Sequence, residues 1–117
     1  MEEKFNIDFL SEAIDFMNSV EIKARKKIYY NLKKSRVVND PELFKKLNEN
    51  IWEFRTLFDK KHYRLFAFWD KTDNKETLVL ATHGIIKKTK KTPKSEIKKA
   101  EEIRKIYFEQ KNKENEK

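Results

Sequence analysis

Residues 51–69 read IWEFRTLFDKKHYRLFAFW, and this stretch decides the fold. Ile51 to Phe58 and His62 to Trp69 are two runs rich in aromatic and β-branched residues, with the polar Asp59-Lys60 between them. That pattern predicts a β-hairpin. If Asp59-Lys60 is a two-residue turn, Phe58 faces Lys61 and the register follows. One face of the hairpin then carries Trp52, Phe54, Thr56, Phe58, Tyr63, Leu65, Ala67 and Trp69. It is nearly all apolar, so it should receive helices. The other face mixes Ile51, Leu57, Phe66 and Phe68 with Glu53, Arg55, His62 and Arg64. Arg55 lies directly opposite Arg64, a like-charge pair that costs roughly 0.2–1 kcal/mol on the usual cross-strand scale. An anion between the two guanidiniums would account for it.

Outward from the hairpin, a third strand is expected from Thr77 through Leu78-Val79-Leu80-Ala81 to Lys88, after a turn over Asp70 to Lys75. Toward the N-terminus, Lys4 to Phe9 alternates polar and apolar and predicts a short strand. Leu10, Ala13, Ile14 and Met17 then recur at helical spacing, as do Val20, Ala24, Ile28 and Leu32. Asn18 with Glu21 fits a capping box for the second of these helices. Asn39-Asp40-Pro41 ends it. Thr92 as N-cap and Pro93 in the first turn should start a last helix, with Ile97, Ala100, Ile103 and Tyr107 as its apolar stripe. The elements make an α+β chain. Residues 1–108 are read as one domain and 109–117, which lack apolar residues, as a frayed charged tail.

Composition excludes several classes. The chain has 117 residues, no cysteine, one glycine and two histidines. Disulfides, thiol nucleophiles and thiolate zinc sites are ruled out, and a glycine-rich phosphate loop cannot be built. The longest apolar run, Leu65 to Trp69, is far too short for a membrane span, and the acidic opening Met1-Glu2-Glu3 predicts no secretory signal. A cytoplasmic location with no membrane partner is therefore expected. The net charge of +8 points to a polyanionic partner. It is concentrated in two stretches, each with seven basic residues against one glutamate, residues 21–36 and 87–99. Lys23, Lys26 and Lys27 fall in the first; Lys87, Lys88, Lys90, Lys91 and Lys94 fall in the second.

Trp52-Glu53-Phe54-Arg55, then Tyr63-Arg64-Leu65-Phe66, then His83-Gly84-Ile85-Ile86-Lys87-Lys88-Thr89 before Lys91-Thr92-Pro93 together resemble the RelE superfamily of bacterial toxins. The match is nearest to its phage Gp49-like, HigB-type branch. The resemblance implies two N-terminal helices packed on a curved, mainly antiparallel four-stranded sheet, plus the C-terminal helix. It implies the toxin of a type II toxin–antitoxin system, an endoribonuclease that cuts mRNA on the ribosome without metal or nucleotide cofactor. It also implies a helix-turn-helix antitoxin as partner, with DNA reached only through that antitoxin. Arg55 and Arg64 match the basic strand positions of such toxins, and Lys87-Lys88 the basic end of the last strand. Ile85 and Lys90 stand where many relatives carry Phe and Gln, so an aromatic that could stack on a base is missing at position 85.

The residue types suit that chemistry. Metal-free RNA cleavage uses the neighbouring 2′-hydroxyl as nucleophile, and the protein positions the phosphate, neutralises its charge and moves two protons. Arg55 and Arg64 suit bidentate phosphate contact. Of Lys87 and Lys88, consecutive in an extended segment, only one can share their face. For the proton transfers, His62, a lysine of the Lys87-Lys88 pair and Glu53 are the candidates. Lys90, Lys91 and Lys94, and on the second helix Lys23, Lys26 and Lys27, are candidate RNA-backbone contacts. Plainer readings stand beside these: an arginine pair solvating a sheet face with Glu53 as its ion-pair partner, solvated lysine faces on the helices, and a catalytically silent relative that only binds RNA or its antitoxin.

Overall fold

A computed structural model describes residues 4–72 and 78–115. The elements run β1 (Asn6–Phe9), α1 (Ser11–Ser19), α2 (Ile22–Ser35), β2 (Phe44–Lys46), β3 (Ile51–Phe58), β4 (Lys61–Asp70), β5 (Leu78–Lys87) and α3 (Lys94–Asn115). The sheet order is β1-β5-β4-β3-β2, with β1 parallel to β5 and every other pair antiparallel. The sheet thus has five strands, one more than expected. Thr77 and residues 73–75 of the expected turn lie outside the described residues.

The hairpin register is as the pattern predicts: Phe58 pairs with Lys61, Arg55 with Arg64 and Ile51 with Phe68. Asp59 and Lys60 adopt φ of 51° and 62°. Both lie in the left-handed region, which makes the tight turn whose twist suits adjoining strands. The extra strand is short. Phe44 pairs with Phe54 and stacks on it at 4.2 Å, and it also meets Trp52 at 4.7 Å. One aromatic in an otherwise polar segment is too little periodicity to read as a strand, yet it closes the sheet's edge.

On one face of the sheet, Ala13 and Met17 of α1 and Ala24, Ile28 and Leu32 of α2 pack with Val20 on Phe54, Tyr63, Leu65, Ala67, Val79 and Ala81. Ile14, placed on the α1 stripe by its spacing, is 48% exposed. The capping box does not form. Asn18 lies inside α1, Glu21 takes the N-cap position of α2 without a side-chain bond, and Arg25 instead donates to the carbonyls of Asn18 and Val20 at 3.0 and 2.9 Å. A guanidinium at carbonyls left free by a helix C-terminus does the joining there. Phe16 lies so close to β5 that a Cβ on Gly84 would come within 2.3 Å of its ring. The chain's one glycine thus lies where the Phe16 ring of α1 presses closest on β5.

The opposite face is divided. α3 covers one half, where Ala100, Ile97, Tyr107 and Phe108 pack with Ile51, Phe66, Phe68 and Leu80. The helix begins at Lys94, one residue later than expected, and it remains helical through Asn115 rather than fraying after Phe108. Its far end is fastened by Asp70, whose Oδ2 accepts from Tyr107 and from Lys111, each at 2.6 Å, while Thr72 donates to Oδ1 at 2.7 Å. Burial alone would raise the Asp70 pKa, but the bonds from Lys111, Tyr107 and Thr72 outweigh it and hold the carboxyl well below the usual carboxylate range. Among the described residues no helix is long and apolar enough to cross a membrane.

Gly84→Ala should cost about 1–3 kcal/mol of stability through overpacking against Phe16, measured by urea denaturation. An unchanged midpoint would mean that α1 can move away freely. Because the folded pKa of Asp70 is depressed, its contribution is complete above the unfolded carboxylate value of about 3.9 and disappears as pH falls further. Asp70→Asn should therefore lower the melting temperature at pH 7, with a deficit that begins to shrink below about pH 3.9 and closes only as pH falls through the depressed folded pKa.

Candidate functional site

The half of the second face that α3 leaves open carries the charged residues. Cross-strand partners share a face, so the pairings set out a grid: Leu57–His62–Lys87 in one row, Arg55–Arg64–Ile85 in the next, and Glu53–Phe66–His83 in the third. Arg55, Thr56, Leu57, His62 and Arg64 line a cleft of about 210 Å³, joined at its rim by Glu42 and Lys90.

At its base the two arginines share a carboxylate of the protein's own. Glu53 Oε2 lies 3.6 Å from Arg55 Nε and Glu53 Oε1 lies 3.5 Å from Arg64 Nε. Glu53 lies between the like charges, the ion pair of the plainer reading. Thr92 donates its hydroxyl to Glu53 Oε1 at 2.8 Å, so it serves this carboxylate from across the fold. The Glu53 and Arg64 side chains are only 2% exposed and Arg55 is 10% exposed. Glu53 is therefore a buried, paired carboxylate, poorly placed to exchange protons with a substrate. At these lengths neither Nε forms a hydrogen bond, and both are buried without a partner. One carboxylate offsets only part of the charge of two guanidiniums, so the trio stays cationic, and it leaves some of the guanidinium donors unused.

The outer guanidinium nitrogens reach the connections above. Arg64 Nη2 donates to the Lys90 carbonyl at 3.2 Å and Arg55 Nη1 approaches the Pro41 carbonyl at 3.5 Å. Burial lowers the Arg64 pKa and the neighbouring Glu53 partly restores it; an arginine stays charged regardless. His62 is pulled below its ordinary pKa, first by partial burial and then by the positive charges of Arg64, Arg55, Lys90 and Lys87. The shift favours the neutral imidazole, the form able to accept a proton.

The other expected site residues separate clearly. Lys87 stands opposite His62 and shares its face, whereas Lys88 lies beyond the end of β5 and is exposed. Lys90 reaches the cleft. Lys91 and Lys94 are exposed at and just before the start of α3. Lys23, Lys26 and Lys27 are exposed on α2, which packs on the other side of the sheet, so they are not brought to the cleft. His83 is structural: it stacks on Phe66 at 4.9 Å, and its Nε2 lies 3.2 Å from Glu96. Two participants were not singled out by sequence reasoning. Glu42 follows the Asn39-Asp40-Pro41 break and belongs to no motif, and the sequence pattern marks Thr92 only as an N-cap.

A family model described as phage-derived protein Gp49-like matches residues 15–105, well over half of the chain and all of the cleft residues. No curated protein and no solved structure gives a significant match. Among the described residues no group of three or more histidine or acidic side chains is arranged to hold a metal ion.

Removing the shared carboxylate should expose the strain it relieves. Glu53→Gln leaves two buried guanidiniums facing each other and should cost about 3 kcal/mol in chemical denaturation. Added sulfate should restore part of the loss by taking the place of the carboxylate. A variant as stable as the parent in sulfate-free buffer would mean that Glu53 does not hold the pair.

Proposed function

The chain belongs to the phage-derived Gp49-like family, and from that premise we propose that it is the toxin of a type II toxin–antitoxin pair, a metal-independent endoribonuclease acting on mRNA. The observation that supports this most is the cleft itself, where Arg55 and Arg64 lie beside His62, whose pKa is lowered, with Lys87 and Lys90 near enough to contribute to that lowering. Guanidiniums and ammoniums suit a phosphate, and a neutral imidazole suits removal of a hydroxyl proton.

In the proposed reaction the 2′-oxygen attacks phosphorus and the P–O5′ bond breaks, giving a 2′,3′-cyclic phosphate and a free 5′-hydroxyl. His62 takes the 2′-hydroxyl proton. The leaving 5′-oxygen takes a proton from a nearby ammonium, a role assigned to Lys90 at the cleft or to Lys87 opposite His62. Arg55, the more exposed of the two arginines, contacts the phosphate. Arg64 supplies positive charge from beneath and holds the Lys90 segment. The ribosome would present the mRNA, and a helix-turn-helix antitoxin would neutralise the toxin; both partners follow from the resemblance to HigB-type toxins.

Expression of the wild-type chain should arrest growth and produce cuts in ribosome-bound mRNA that carry cyclic phosphate ends. Arg55→Ala should reduce cleavage about 10²–10³-fold, as loss of one transition-state donor does. Since the base must be unprotonated, activity should rise with pH to a plateau, with its midpoint below the ordinary histidine value of 6.5. In Arg55→Ala the midpoint of the residual activity should move upward, because one of the charges that repel the His62 proton is gone. A wild-type chain that neither arrests growth nor cuts mRNA on ribosomes would contradict the enzyme and leave a binding protein of the same fold.

A further inference from the structure

The cleft contains one group that phosphate binding does not explain. Glu42 stands at its rim beside Arg55, Leu57, His62, Arg64 and Lys90, and its negative charge is felt at the Arg64 guanidinium. A carboxylate there repels a phosphate, so a site built only to hold a polyanion would be better without it. Nor is it needed to hold the arginines together, since Glu53 does that from below. Glu42 is exposed, and its position is nevertheless defined by its backbone. Its N–H donates to Asp40 Oδ1 at 2.9 Å, and the adjacent Leu43 carbonyl accepts from the Arg55 N–H at 2.8 Å.

Next to the carboxylate lies an apolar surface. Leu57 is 60% exposed and is the cross-strand partner of His62, so the two side chains sit together on the cleft face. A flat, partly apolar group can rest on an aliphatic and an imidazole side chain, with its edge turned to the rim. A phosphate beside Arg55, a platform over Leu57 and His62, and an acceptor at the edge describe a nucleotide seat.

We infer that Glu42 reads the base next to the bound phosphate and selects guanine. This rests on the reading of the cleft as an RNA site. A carboxylate offers only acceptors. Guanine alone among the four bases presents two adjacent donors on one edge, N1–H and the 2-amino group. Adenine and cytosine set a single amino donor beside an acceptor nitrogen that the carboxylate repels. Uracil sets one N–H between two carbonyls. A glutamine at position 42 offers one donor and one acceptor, the pattern that pairs with adenine.

The test uses the full chain and fluorescent 2′-O-methyl pentanucleotides, which cannot be cleaved, differing only in the central base within a uridine context. Affinities are read by anisotropy for wild type, Glu42→Gln and Arg55→Ala. Wild type should prefer the guanine probe by about tenfold, and Glu42→Gln should shift the preference to adenine. If wild type binds all four probes alike, or if Glu42→Gln tightens all four equally, Glu42 is only a repelling charge and the inference is overturned while the phosphate site stands. If wild type binds none of the probes, or if binding is indifferent to Arg55→Ala, the phosphate site falls and the inference falls with it. Weaker binding of Arg55→Ala to every probe, with the guanine preference kept, supports separate roles for the two residues.

Discussion

The arrangement of the open sheet face depends on one buried carboxylate. The tight turn at Asp59-Lys60 sets a register that puts Arg55 across from Arg64, and strand parity puts Glu53 on the same face two residues earlier. Two guanidiniums in a half-dry setting repel each other and each resists desolvation. Glu53 offsets both effects by lying between them at 3.5 and 3.6 Å. It also receives Thr92, which draws the connection between β5 and α3 down over the arginines. Where that connection goes, the Lys90 carbonyl and the start of α3 follow, so one carboxylate shapes both the base and the roof of the cleft.

The second sheet face is consequently two surfaces. Under α3 it is an ordinary apolar core, closed at the far end by Asp70 with Tyr107 and Lys111. Beyond the helix it is cationic, and His62 loses its proton more readily there than a free histidine does. The overall charge of +8 does not distinguish these surfaces. The lysines of α2 lie behind the sheet and can contribute only long-range attraction for a polyanion, which salt screens. The cleft is defined by a few residues whose positions are set by β pairing, a more rigid support than exposed helix side chains.

Much of this was legible in the sequence because β structure has a strict period of two. With Asp59-Lys60 as the turn, parity alone gives the helix-covered face, the arginine pair and the company of His62. Helical spacing likewise identified Ala24, Ile28 and Leu32 as core. What escaped depends on contacts between distant parts of the chain. β2 is three residues long and exists because Phe44 stacks on Phe54 and Trp52. The capping box at Asn18 gave way to Arg25, a competing donor from the next helix. The end of α3 is held by Asp70, a residue 41 positions from Lys111, so local composition suggested fraying where a tertiary bond prevents it. Lys87 and Lys88 could not be ordered by parity until the β5 register and its irregularity at Phe66/Ala67 were known. Glu42 carried no signal of its own; only the pairing of its neighbour Leu43 with Arg55 brings it to the cleft.

In the proposed function the Arg55–Glu53–Arg64 group forms the base of a phosphate-binding cleft. The most direct measurement is NMR of the arginine Nε–H signals in protein labelled with ¹⁵N, titrated with a dinucleotide monophosphate. Both Nε positions are buried and lack a hydrogen-bond partner, so their signals should be distinct and sensitive to an arriving anion. The Arg55 and Arg64 signals should shift together and saturably, with one binding constant. Shifts confined to the backbone signals of α2 around Lys23 to Lys27, with both arginine signals unmoved, would contradict that role.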